Sequence, residues 1–391
     1  MINVTKLYFG VAGQSDQLRY GSENDTGPVV VYNCTARCNL NCAHCYSSSG
    51  LGGQGDELNT NQAKELLCQL SDYNCPVILL SGGEPLLRED LLELIAQARR
   101  LGIRVVLSTN GTLIDKDTAN RLADAGTSYV GVSIDGQEQF HDEFRTSKGS
   151  FKAAVRAIEN CRDVGIKTGL RFTITRANSE QIPDVFDIAK NIGVRRICFY
   201  HLIRTGRASK LSGLSLGASE TRRAMDVIIE KTGELVGQDL VDEVLTVGNH
   251  CDGPYLLIKM ASEKNKRYQQ VRELLLANGG NRTGEKIACI SWAGSVHPDQ
   301  FLLNYSLGNI KVNSFRQIWD NPNEPVLQKL RNKTKFRAKR CSRCKWFDLC
   351  KGNYRFLALD ARDKNWVNEP SCYLRDDEIS LQQSSFAHLE R

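Results

Sequence analysis

Six short apolar runs, rich in β-branched residues, recur through the first half of the chain at 29–32, 76–80, 105–108, 129–134, 170–174 and 196–200. The amphipathic stretches between them predict helices at 60–73, 89–101, 115–125, 151–164 and 182–192. Asn59 or Thr60 suits the cap of the first helix, with Ala63, Leu66, Leu67 and Leu70 on its buried face. Strands alternating with helices at this interval need crossover connections, which makes the sheet parallel and the crossovers right-handed. Six units fall short of the eight that close a TIM barrel, so the sequence predicts an α/β fold, an open partial (β/α)6 barrel. The alternation stops near residue 211. A long helix is then predicted over 218–237, helical sequence over 255–279, and a hairpin over 289–304 with Gly294 near its turn. A boundary near residue 240 divides the chain into an N-terminal segment 1–27, the barrel 28–240 and a smaller cysteine-rich domain 241–391.

Sheets of this kind build their sites at the C-terminal ends of their strands. The first strand runs into NCTARCNLNCAHCYSSSG at 33–50, where Cys38, Cys42 and Cys45 are separated by three and then two residues. Three thiolates this close hold three irons of a [4Fe–4S] cluster and leave the fourth iron open. Zinc selects the same soft ligand, with His44 as the available fourth donor. Zinc motifs usually pair their ligands as two CxxC-type knuckles, and this loop has no such pair. Cys34 permits a second register, CxxxCxxxC, which lacks the two-residue closing gap; Cys34 is read as a bystander. The second strand ends in Ser81-Gly82-Gly83-Glu84-Pro85. Adjacent glycines let a backbone approach a ligand closely, although GGE alone is an ordinary turn.

The chain has 391 residues, 41% hydrophobic and 25% charged, enough for a large and a smaller globular domain. It has no apolar run of signal-peptide or membrane-span length, so a cytoplasmic protein without a membrane partner is predicted. Fourteen cysteines in a reducing compartment point to metal rather than disulfides. Four lie at 34–45 and four at 341–372; Cys68, Cys75, Cys161 and Cys198 read as small buried hydrophobes. The second group, Cys341, Cys344, Cys350 and Cys372, closes a structural zinc site or a [4Fe–4S] cluster equally well by spacing. Net charge is +6, and the basic run 329–345 carries no aromatic-interleaved motif, which argues against nucleic acid. Such a run is a solvated face, or suits a carboxylate-rich small substrate.

The CxxxCxxC loop after the first strand and the GGE turn after the second resemble the signature of the radical S-adenosylmethionine (SAM) enzymes. The resemblance implies that Cys38, Cys42 and Cys45 hold a [4Fe–4S] cluster whose open iron takes the amino and carboxylate groups of SAM. Gly82, Gly83 and Glu84 would then hold the amino group, and His44 would take the usually aromatic position against the adenine. Ser133 matches a ribose contact, and Ser108, Asn110 and Arg171 are further expected SAM contacts. Downstream, Cys341, Cys344, Cys350 and Cys372 resemble the SPASM/twitch extension, which implies one auxiliary [4Fe–4S] cluster. The full SPASM pattern has a cysteine where Tyr354 stands, and of its other ligands only Cys289 has a counterpart; Cys289 is an orphan thiol or a conditional ligand.

The opening INVTKLY…LRYG, the block GNHCDGPY at 248–255 and the tail CKWFDLC…PSCYL resemble a tetrapyrrole-modifying branch of that superfamily. One member type of the branch removes both acetate side chains of 12,18-didecarboxysiroheme to give iron-coproporphyrin III. A second removes propionates from the same precursor on the way to haem d1. The resemblance implies reductive SAM cleavage, hydrogen abstraction from the tetrapyrrole, expulsion of a substituent, and an electron donor such as ferredoxin or flavodoxin. Arg145, Arg171, Arg204 and Arg207 lie near strand ends and are expected to meet the substrate's carboxylates. His250 is the expected catalytic residue, as iron ligand or proton donor, against the reading of a hydrogen-bonded loop histidine. Two rivals remain at this point. A SPASM-type peptide maturase shares the barrel, but residues 1–27 are short for its peptide-binding extension. A zinc-stabilised binding protein leaves the open three-cysteine loop and the GGE turn unexplained.

Overall fold

The computed structural model describes residues 1–13, 16–21, 26–53, 55–354 and 370–380. Its strands are β1 (Ile2–Asn3), β2 (Val29–Thr35), β3 (Val77–Gly82), β4 (Arg104–Thr109), β5 (Tyr129–Ser133) and β6 (Lys167–Ile174), followed by β7 (Arg196–His201), β8 (Glu243–Val247), β9 (Ile287–Ile290), β10 (Ser295–His297) and β11 (Gly308–Asn309). They form one sheet in the order β1-β8-β7-β6-β5-β4-β3-β2-β9-β10-β11. From β2 to β8 every neighbouring pair is parallel. The loops after these strands therefore gather along one edge, as expected of parallel strands joined by crossover helices.

Local sequence explains the helices that cover the sheet. Asn59 caps Thr60–Asp72 by accepting from the Gln62 N–H, and Ala63, Leu66, Leu67 and Leu70 form its buried face. Asp115 caps Lys116–Ala125 in the same way through Thr118. Leu91–Arg100, Ser150–Asp163 and Ile182–Asn191 complete the series, each burying one apolar stripe. Inside, Phe172 on β6 and Phe186 both pack against Phe199 on β7, with ring centroids 5.8 and 5.3 Å away.

The parallel sheet is longer than the sequence reading allowed. β8 lies beyond residue 240 and pairs with β7 as a seventh strand of the series, because Val244, Leu245 and Thr246 are buried there. The N-terminal segment is also built in: β1 pairs antiparallel with β8, and Ile2, Val4 and Leu7 are buried. At the other edge, β9 joins β2 in parallel before turning at Gly294 into β10. The C-terminal part of the chain thus rests directly on the strand that leads into the cysteine loop. Among the described residues no helix is long and apolar enough to cross a membrane.

Phe199→Ala removes the ring shared by Phe172 and Phe186. Chemical denaturation of the variant should register a loss of about 3–5 kcal/mol.

Candidate active site and cluster-binding cysteines

A cavity of about 1110 Å³, open to solvent, lies at the C-terminal edge of the strands. Cys38, Cys42, His44 and Cys45 line it from the loop after β2, and Gly82 and Gly83 from the end of β3. Ser108 and Asn110 enter from β4, Ser133 from β5 and Arg171 from β6. All but four of the site residues expected from sequence at this end of the barrel therefore meet on one surface. The exceptions are Glu84, His250, Arg204 and Arg207.

The cysteine loop and the GGE turn are knitted together by their backbones. Gly83 N–H donates to Thr35 O and Glu84 N–H to Arg37 O, each at 2.8 Å. A Cβ on Gly82 would drive into Thr35 O, and one on Gly83 into Arg37 O. Gly82 also has φ +121°, a conformation open to glycine at little cost. On its other side the loop is clamped by Arg207. The Arg207 guanidinium donates to Cys42 O at 2.8 Å and to Ser49 O at 2.7 Å, and its N–H to Cys45 O at 3.0 Å. Arg207 thus serves the loop rather than a free anion.

Glu84 points away from the cavity. Its buried carboxylate accepts from Thr109 Oγ1 at 2.7 Å, from Asn110 N–H at 2.8 Å and from Leu86 N–H at 3.2 Å. Burial pushes its carboxyl pKa up, and these donors oppose the shift. Its effect in the fold is to fix the turn that presents Asn110, whose side chain bridges to Asn39 at 2.9 Å in the cysteine loop. Arg171 donates to Ser108 Oγ and lies 5.2 Å over the Tyr200 ring.

His44 stacks on Phe144, with centroids 4.5 Å apart and planes 12° from parallel. Burial lowers its pKa to about 4, which leaves a neutral, flat ring at the cavity wall. Asp135, beneath it, forms a pair of 2.7 Å contacts with Arg145. Burial raises the Asp135 pKa, but the groups around it, Arg145 foremost, together hold it below the usual carboxylate range.

The C-terminal part closes the cavity with Gln300 and Phe301. Phe301 meets the edge of Tyr46 at 5.4 Å and of Tyr354 at 5.6 Å. Tyr354, standing where the SPASM pattern has a cysteine, instead lies beside buried Asp299, which takes Thr283 Oγ1 at 2.7 Å. Cys289 sits near this network, accepting from Asn33 Nδ2 at 3.6 Å, and does not line the hollow of the C-terminal cysteines.

Cys341, Cys344, Cys350 and Cys372 surround a hollow of about 340 Å³ whose walls include Phe347, Leu374 and Ile379. Four thiols around one largely apolar hollow are a donor set that suits an iron–sulfur cluster. Arg340 donates to Cys372 Sγ at 3.0 Å, placing a cation beside thiolate charge. A fifth thiol, fully buried Cys251, lines the same hollow beside Cys350 and Cys372. Spacing in the sequence gave no sign of it, since Cys251 stands far from the others along the chain. The basic run is largely consumed locally. Arg331 donates to Gly284 O and Trp319 O, Lys333 pairs with Glu285, and Arg337 lies 4.0 Å over the Phe347 ring.

His250 lines neither of these hollows; it is wholly buried, and its N–H donates to Asn353 Oδ1 at 2.5 Å. Besides His44, the main cavity is lined by His201, at the end of β7. Its Nε2 lies 2.9 Å from Asp252 Oδ2, and Asp252 Oδ1 accepts from Tyr373 OH at 2.7 Å.

A parallel partial barrel whose first loop presents three cysteines beside a GGE turn defines a SAM-cleaving class of enzyme. Residues 32–199 match the radical SAM superfamily, and residues 282–345 match an iron–sulfur cluster-binding domain, SPASM. The chain belongs to the radical SAM superfamily, and within it to the branch containing Fe-coproporphyrin III synthase and pre-heme d1 synthase. It is 45% identical to Fe-coproporphyrin III synthase of Methanosarcina barkeri over 98% of this chain and 100% of that one. It is 38% identical to pre-heme d1 synthase of Dinoroseobacter shibae over 89% and 86% of the two chains. Crystalline SuiB of Streptococcus suis, bound to precursor peptide SuiA, superposes with a TM-score of 0.72 over 92% of this chain and 79% of that one. At 18% identity this last likeness speaks for the fold alone. The chain is thus a radical SAM enzyme with a SAM-binding [4Fe–4S] cluster and an auxiliary iron–sulfur cluster.

Gly83→Ala should spring the joint between turn and loop. Iron analysis after reconstitution should find about four irons fewer, one cubane's worth. Cys251→Ser should keep the auxiliary cluster, read as unchanged iron and sulfide content.

Proposed function

We propose that this enzyme removes the two acetate side chains of 12,18-didecarboxysiroheme to give iron-coproporphyrin III. The observation that carries this reading is the 45% identity to Fe-coproporphyrin III synthase along essentially the whole of both chains. In the same reading, Cys38, Cys42 and Cys45 hold three irons of the SAM-binding cluster. Cys341, Cys344, Cys350 and Cys372 hold the auxiliary one.

When bound and reduced, the first cluster supplies the electron that cleaves SAM and so starts hydrogen abstraction. The protein's own part is to bind, orient and shield. The backbone of Gly82 and Gly83 lies where it can meet the amino group of SAM. The flat His44–Phe144 stack offers a face to the adenine. Ser133, Asn110 and Ser108 offer polar groups to the rest of SAM, with Arg171 behind them. Glu84 acts one step removed, by holding Asn110. Tyr46, Phe301 and Ile203 form apolar wall that keeps water from a reactive intermediate. A ferredoxin- or flavodoxin-type protein would supply the electrons.

The test is an anaerobic assay of the reconstituted enzyme with SAM, dithionite and 12,18-didecarboxysiroheme, with products resolved by mass spectrometry. Loss of both acetates together with 5′-deoxyadenosine is the expected result, from protein carrying about eight irons per chain. Loss of propionates would move the enzyme to the haem d1 reaction. An unchanged tetrapyrrole with SAM still cleaved would overturn the substrate class.

A further inference from the structure

A second hollow, of about 770 Å³, adjoins the SAM cavity and shares His201 and Leu202 with it as a common wall. Its other sides come from Arg204, from Ser215 and the first turn of the helix Ala218–Gly237, and from Ser371 to Tyr373. We propose that this hollow seats carboxylate side chains of the tetrapyrrole, a substrate class that rests on the reading above.

The charge of the walls carries the argument. Among the described residues neither hollow has an Asp or Glu side chain on its lining. The acids nearby are matched by partners: Asp252 is buried against His201 and Tyr373, Asp135 against Arg145, and Glu220, at the start of the helix, pairs with Arg176 and accepts from the Gly217 N–H. What faces the space is a histidine, an arginine and hydroxyl groups, a combination that favours anions.

Of the four strand-end arginines, three are already engaged. Arg145 is paired with Asp135, Arg207 is spent on carbonyls of the cysteine loop, and Arg171 is bound to Ser108. Arg204 is exposed, forms no ion pair among the described residues, and lines the second hollow. A guanidinium in that position is suited to grip a carboxylate with two parallel N–H donors.

Position supports the same conclusion. Cys372 lies on the wall of the second hollow, while Cys38, Cys42 and Cys45 line the first. A flat, carboxylate-bearing molecule spanning both hollows would have its reacting edge near SAM and its far edge beside the auxiliary cysteines. His201, on the lining of both hollows, is held by its contact with Asp252, which also accepts from Tyr373 OH.

The experiment is an anaerobic absorbance titration of the reconstituted enzyme with 12,18-didecarboxysiroheme. Arg204→Gln should weaken binding about tenfold or more, the scale of a lost charge-assisted hydrogen bond, and Arg204→Lys should recover part of it. Ser215→Glu, which adds a carboxylate to the hollow, should weaken binding as well. The methyl-esterified tetrapyrrole should bind wild type and Arg204→Gln alike. Iron content, read on every variant, separates a misfolded chain from a lost contact. Wild-type affinity in both Arg204→Gln and Ser215→Glu would overturn the assignment of this hollow while leaving the proposed reaction intact. A wild-type enzyme that binds no tetrapyrrole would remove the substrate class, and the hollow's role with it.

Discussion

Two backbone hydrogen bonds, from Gly83 to Thr35 and from Glu84 to Arg37, are the joint on which the reaction centre depends. They fasten the loop after β2 to the turn after β3, at a separation that admits no side chain on either glycine. From that joint the order spreads outward. Glu84, buried by it, grips Thr109 and Asn110, so the end of β4 is tied to the same point. Asn110 in turn reaches back to Asn39 in the cysteine loop. Three strand ends are thus held by groups that leave the cavity surface free for ligand.

Electrostatics follow the same plan. Asp135 and Asp252 are drawn behind the walls of the two hollows and matched there with arginine, histidine or tyrosine, as burial requires. The open surface keeps thiols, amide and hydroxyl groups, neutral rings and a few cations. Such a lining accepts an anionic substrate without the desolvation cost that buried like charges would add.

Much of this was legible from local signals. The β-branched run at 29–32 marks β2, Asn59 and Gln62 form a capping box, and the SGGEP turn announces a close backbone approach. These features depend on residues a few positions apart, which a sequence displays directly. β8 was missed because its five residues, EVLTV, follow a long helix where the strand–helix rhythm has lapsed. β1 is only two residues long and gains its place from pairing with β8. Cys251, His201 and Tyr373 were missed for a related reason: each acquires meaning from a partner far away in the chain. His250 stands out as a histidine in a distinctive block; in the fold its neighbour Cys251 lines the hollow of the C-terminal cysteines and Asp252 holds His201. Arg207 looked like an anion ligand by position, and its partners are carbonyls that no pattern displays.

The central claim is that two separate cysteine sets hold two clusters, and that SAM meets the one beside the GGE turn. The most direct test is electron paramagnetic resonance of the reduced, reconstituted triple variant Cys38→Ala/Cys42→Ala/Cys45→Ala, with and without SAM. The account predicts about four irons per chain and a cluster signal that SAM leaves unchanged. A signal that still shifts on adding SAM would put the SAM-binding cluster elsewhere and contradict it.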